Sequence, residues 1–158
     1  MVSDEEYLYF VDRAFDGMAA ILGELGDDLA NVRPDLPEAN SPYAIVTHCL
    51  GVAEYWAGHL VAGRPVHRDR PAEFTASGTV ERLIARIDAA KRQLRDDLAA
   101  AEPPAPLRHE PPEEHLVTTP GLTQGGALIH VYEELAQHHG QLEITRDLIL
   151  DRRTAGSP

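Results

Sequence analysis

Apolar residues recur every three or four positions through four stretches of this 158-residue chain, and nowhere do they alternate. That spacing places side chains on one face of an α-helix, whereas a half-buried strand needs alternation. The first stretch opens with a capping box, Ser3 and Glu6, carries Phe10, Val11, Ala14, Phe15, Met18, Ile21, Leu22 and Leu25, and should end near Asp27 or Asp28. Arg33-Pro34-Asp35-Leu36-Pro37 cannot continue it; Ser41-Pro42 then gives an N-cap with proline at the first helical position. This second helix runs to about Gly63 through Ile45, His48, Cys49, Val52, Trp56 and Leu60 and is apolar over most of its circumference, so it should be well buried.

Residues 64–78 read as polar and irregular. Ser77 or Thr79 can then cap a third helix bearing Val80, Leu83, Ile84, Ile87, Leu94 and Leu98. A proline-rich connection, Glu102-Pro103-Pro104-Ala105-Pro106 with Pro111-Pro112, closes at Thr119-Pro120-Gly121. The fourth helix should begin near Thr123 and present Leu128, Val131, Leu135, His138, Leu142, Thr145 and Ile149 inward. Four amphipathic helices of roughly twenty residues, each about 30 Å long, pack by default as a bundle. The connections before the third and fourth helices are long enough, at about 3.3 Å per residue, to cross it. The expected fold is thus an all-α four-helix bundle with long crossover connections, one domain over residues 1–151 and a flexible tail over 152–158.

Charge narrows the partners. A formal net charge of −12, spread along the chain, repels phosphate backbones and anionic lipid, so neither nucleic acid nor a membrane surface is expected. No apolar run is long enough to span a bilayer, and the N-terminus lacks the pattern of a signal peptide. Cys49 is the single cysteine, which excludes an internal disulfide and favours the cytoplasm. Lys91 is the one lysine among many arginines, a composition typical of a high-GC genome.

The chemistry concentrates on the fourth helix. In Ile129-His130-Val131-Tyr132-Glu133-Glu134-Leu135-Ala136-Gln137-His138-His139-Gly140-Gln141, the spacing of four puts Glu134 and His138 on one face, beside Leu135 and Leu142. An ionised carboxylate there needs a cation or a donor. His48 takes a matching inward position on the second helix, so His48, Glu134 and His138 can meet around one divalent metal. Two imidazoles and a carboxylate suit zinc with open positions, and nickel or iron is also compatible. The Glu134 and His138 pair describes a buried salt bridge equally well, and His48 alone describes a hydrogen-bonded core histidine. No zincin helix is present, and the paired Glu-x-x-His of di-iron bundles is missing. His130 extends the same row and could compete as a ligand, but a turn lower it is read as capping the site or bonding backbone. His139 should face solvent, Cys49 should be a buried apolar residue, and Trp56 should be core or pocket wall. His59, His67, His109 and His115 lie in or near loops without ligand spacing.

Thr47-His48-Cys49-Leu50-Gly51-Val52-Ala53-Glu54-Tyr55-Trp56, Asp69-Arg70-Pro71-Ala72-Glu73-Phe74 and Glu133-Glu134-Leu135-Ala136-Gln137-His138-His139-Gly140-Gln141 together resemble the DinB-like superfamily of metal-binding bundles, in its mycothiol-dependent branch of maleylpyruvate isomerases and thiol S-transferases. The resemblance runs over nearly the whole chain. It implies a crossover bundle, bound zinc held by His48, Glu134 and His138, and a homodimer. Gln141 departs from the Gly-His ending of the closest branch, and no second domain follows the bundle, so maleylpyruvate is not the expected substrate. Zinc with two neutral histidines and one carboxylate keeps one positive charge, which a thiolate neutralises. The expected function is a metal-dependent transferase that activates a low-molecular-weight thiol, mycothiol by resemblance, for attack on an electrophile. Gln141 is a candidate partner for His138, and no catalytic base is identified. The competing readings are a non-catalytic metal-binding stress-response protein, a structural dimeric bundle and an iron-dependent oxygenase.

Overall fold

The computed structural model describes residues 2–111 and 121–155, with side chains as far as residue 152. Its helices are α1 (Asp4–Ala30), α2 (Pro42–Ala53) continued without a break by a π-helical stretch (Glu54–Val61), the short α3 (Arg70–Glu73), α4 (Val80–Ala99) and α5 (Gln124–Ala155). No strand occurs among the described residues, so the all-α expectation holds. The expected cap of α1 forms in full: the Glu6 amide donates to Ser3 Oγ at 3.2 Å and the Ser3 amide to Glu6 Oε2 at 2.8 Å. Ser41 caps α2 through the Ala44 amide, and Thr79 takes the N-cap position of α4. α1 runs past its expected end because the chain kinks at Gly26, at φ 65°, and resumes its turns to Ala30.

Contacts fix the directions. Tyr7 donates to the Leu128 carbonyl and Arg146 pairs with Glu24, so α5 runs parallel to α1. Asp27 accepts from the Val80 amide while Lys91 and Arg95 reach Asp12, so α4 is antiparallel to α1. Tyr43 lies against Gly78 and Arg64 bonds Asp97, which makes α2 and α4 parallel. Two consecutive long helices that run the same way oblige the segment between them to travel the length of the bundle, and residues 62–79 do so. The second long connection returns to the end it left: Ala105 accepts from the Gln124 amide and Pro103 from the Gly125 amide. Thr119 and Pro120, expected to close it, lie outside the described residues, as does His115.

Phe15, Met18, Leu22, Val46, Leu60, Leu83, Ile87, Val131, Leu135 and Leu142 form the centre of the core. Every residue of α2 except Gly51 is buried, in line with its apolar circumference. The π-helical stretch was not foreseen. Its wide turn shows in the bond from the Ala62 amide to the Ala57 carbonyl, 2.9 Å and five residues back. Trp56, Ala57, Leu60 and Val61 within it are all buried. No described helix is long and apolar enough to cross a membrane.

Candidate metal centre

His48, Glu134 and His138 come together where α2 faces α5, with one ligand atom from each lying within 4.8 Å of the others. Glu134 Oε2 is the apex: it stands 3.3 Å from His48 Nε2 and 3.5 Å from His138 Nε2. The two imidazole rings meet edge to face, at 87°. His48 is buried at 5% exposure, whereas the side chains of Glu134 and His138 are each 25% exposed, so the site has a core wall and an open rim.

The outer ring nitrogens decide what the inner ones offer. His48 Nδ1 lies 2.8 Å from Glu73 Oε2. Arg68 Nη2 also lies 3.4 Å from it, but the nearer carboxylate oxygen can only accept, so Nδ1 carries the hydrogen. His138 Nδ1 lies 2.7 Å from Gln141 Oε1, again an acceptor when the amide donors face solvent. Two neutral imidazoles so held direct bare Nε2 lone pairs at a carboxylate oxygen. Three acceptors that converge repel one another unless a proton or a cation sits among them, and the donor set fits a zinc-type ion. Without such an ion, protons take its place. Hydrogen bonds from His138 and His48 hold the Glu134 carboxyl far below the ordinary carboxylate range. Burial works against charge on His48, but the carboxylates of Glu134 and Glu73 outweigh it and raise its pKa.

Phe74 stacks on His48 with ring centroids 5.0 Å apart, and Trp56 meets His130 at 4.4 Å. Trp56 is therefore both core and wall. His130 Nε2 stays 4.0 Å from Glu134 Oε1 and flanks the cluster, as read from its place in the row. His139 departs from expectation: it is half-buried and packs over Gly17 of α1, where an added Cβ would lie 2.1 Å from its Nε2. The spacing of residues along α5 could not reveal how closely α1 approaches. Cys49 is fully buried, and burial with the nearby Glu134 and Glu73 pushes its thiol pKa up, so it is no nucleophile. His67 is exposed, and His59 and His109 stack on each other at 4.2 Å away from the cluster. Gly140 has open space where a Cβ would stand, so packing does not require glycine there.

Sequence reasoning gave no role to Arg68 or to Glu73, although Glu73 lies in a segment that carries the resemblance. Both fall in the stretch read as irregular, and the short α3 is what holds Glu73 in place. Asp69 caps it by accepting from the Ala72 amide at 3.1 Å, with Pro71 in the first turn. Asp-Arg-Pro is the same N-cap and proline signal that marks α2, but four residues carry no apolar stripe to support it. A cavity of about 290 Å³ lies between α2 and α4 and one of about 210 Å³ between α2 and residues 66–73; the three clustered residues line neither, and Glu73 borders the smaller.

An all-α crossover bundle of this kind, with a His-Glu-His cluster at the α2–α5 junction that could hold a metal ion, is DinB-like. The chain belongs to the mycothiol S-transferase family, whose model matches residues 7–151. No curated protein matches it. Among solved structures it is similar to the conserved protein of locus from Enterococcus faecalis, with 16% identity, a TM-score of 0.70, and coverage of 96% of this chain and 99% of that one. At that identity the likeness is one of fold.

Proposed function

We propose that the protein is a divalent-metal-dependent S-transferase that activates a low-molecular-weight thiol, mycothiol in the first instance, for attack on an electrophile. Membership of the mycothiol S-transferase family supports the thiol, and the convergence of two imidazole Nε2 atoms on one carboxylate oxygen carries the metal. His48, Glu134 and His138 would hold it, with zinc favoured by the nitrogen and oxygen donors and nickel or iron also accommodated. Bound zinc would supply a Lewis acid that keeps an incoming thiol deprotonated at neutral pH.

The chain's own groups do the rest. Glu134 contributes the one anionic donor, leaving the centre cationic and attractive to a thiolate. Gln141 and Glu73 fix the tautomers of His138 and His48. Phe74 covers one face of His48 and Trp56 backs His130, so that thiol and electrophile approach over the rim left open at Glu134 and His138. A homodimer in the cytoplasm belongs to the same proposal and rests on the family alone.

The test is metal content by elemental mass spectrometry on untagged protein, followed by consumption of mycothiol with a panel of electrophiles. About one zinc per chain and metal-dependent thiol conjugation are expected. A chain that takes up no zinc on reconstitution would refute the metal, and a zinc-loaded chain that never consumes thiol would favour a non-catalytic metal-binding role. Zinc uptake should also tighten with pH, because the raised pKa of His48 means that the metal must displace a proton. Competition titrations at about pH 6 and about pH 8 should give the higher affinity at the upper value. Equal affinities would count against His48 as a ligand.

A further inference from the structure

Glu73 is a charged side chain at 7% exposure, brought to the site by a connection rather than by a bundle helix. Arg68, whose side chain is 7% exposed, grips it with two parallel bonds, Nε to Oε1 at 2.7 Å and Nη2 to Oε2 at 3.0 Å. Room for the carboxylate exists because residue 51 of α2 is glycine: a Cβ there would lie 2.1 Å from Glu73 Oε1. Gly51 is one turn on from His48, so the notch and the imidazole share a helix face. Beyond the carboxylate lies the cavity of about 210 Å³, space into which Glu73 could swing if its partners were lost.

Resting on the metal-dependent reading above, we propose that Glu73, clamped by Arg68 in the notch left by Gly51, is a positioning residue. It fixes His48 as the Nδ1–H tautomer and sets how tightly the site holds its metal. The clamp is what makes the carboxylate an orienting group. With both oxygens engaged by guanidinium donors, Glu73 stays an acceptor in one place, and its only option toward His48 is to receive the Nδ1 hydrogen. Nε2 is thereby left bare toward Glu134. A glutamine at 73 has one acceptor oxygen, which Arg68 would claim, leaving its NH2 group to face Nδ1. The imidazole would then accept at Nδ1 and carry its hydrogen on Nε2, where it blocks the ligand position. A merely structural role, tying α3 to the bundle, predicts no such reversal.

The experiment compares zinc affinity, by chelator competition, in wild type, Glu73→Gln and Gly51→Ala, with the tautomer of His48 read from its ring ¹⁵N signals. Glu73→Gln should keep its helicity, at a lower thermal midpoint because the buried Arg68 loses its counter-ion, while binding zinc about 10- to 100-fold more weakly, with the Nδ1–H signature lost in the metal-free protein at alkaline pH, where His48 is neutral. Gly51→Ala should reproduce the loss of affinity by displacing a carboxylate it does not alter. If Gly51→Ala does not fold, Glu73→Gln decides alone. Unchanged affinity and an unchanged Nδ1–H tautomer in Glu73→Gln, beside a wild type that binds zinc, would overturn this inference and leave the function standing. Failure of the wild type to bind zinc would overturn both.

Discussion

Glu134→Ala is expected to strip the protein of zinc and to lower kcat/KM for thiol conjugation by roughly three orders of magnitude, since a Lewis-acid metal supplies several kcal/mol of charge stabilisation and about 1.4 kcal/mol is tenfold. The size follows from Glu134's place in the cluster. Its Oε2 is the atom both imidazoles share, at 3.3 and 3.5 Å, and it is the only anionic donor of the three. Removing it leaves two neutral nitrogens, a pair too weak to retain an ion against dialysis. Glu134 is a quarter exposed on the rim, so the helices should survive its loss, and circular dichroism would check this. Treating wild type with a chelator should reproduce the catalytic defect. An alanine variant with full zinc content and undiminished conjugation would show that the metal lies elsewhere.

Trp56→Ala should cost about 3–5 kcal/mol, the usual range for emptying a buried aromatic site. For a chain of this size that lowers the thermal midpoint by roughly 6–20 °C. Trp56 is 3% exposed, and its ring fills the space between Tyr55 and His130. Ile144→Ala, at a side chain 64% exposed, should stay within about 0.5 kcal/mol. Trp56 supports His130 and, among the described residues, makes no ring contact or hydrogen bond with the three clustered side chains. Protein that remains folded should therefore still bind one zinc, which separates the wall from the ligands. A loss under about 1 kcal/mol would mean that the π-helical turn relaxes around the gap.

These two residues also mark how far the sequence could be read. Glu134 and His138 were legible because four residues along a helix fix a shared face, and His48 because it interrupts an otherwise apolar helix. The caps at Ser3 and Ser41 are local chemistry and appeared where expected, while Thr79 takes its N-cap position without a side-chain bond. What stayed hidden depends on distance across the bundle. Glu73 has its partner 25 residues away, and no local pattern announces that pairing. The packing of His139 on Gly17 depends on how near α1 comes to α5, and the wide turn over Glu54–Val61 depends on which side chains the neighbouring helices accept.

The parallel run of α2 and α4 forces residues 62–79 to cross the bundle, and that obligatory traverse is also the part of the fold that delivers Arg68, Glu73 and Phe74 to the centre. Within that traverse Arg64 and Gly78 anchor the ends on α4 and α2, and the residues between them carry the contacts to His48. On the proposed reading, the candidate ligands and the groups that orient them are thus carried by separate pieces of chain, the bundle helices and the connection between α2 and α4. Variation confined to that connection would then change how His48 is oriented, while α2 and α5 keep the three clustered residues together.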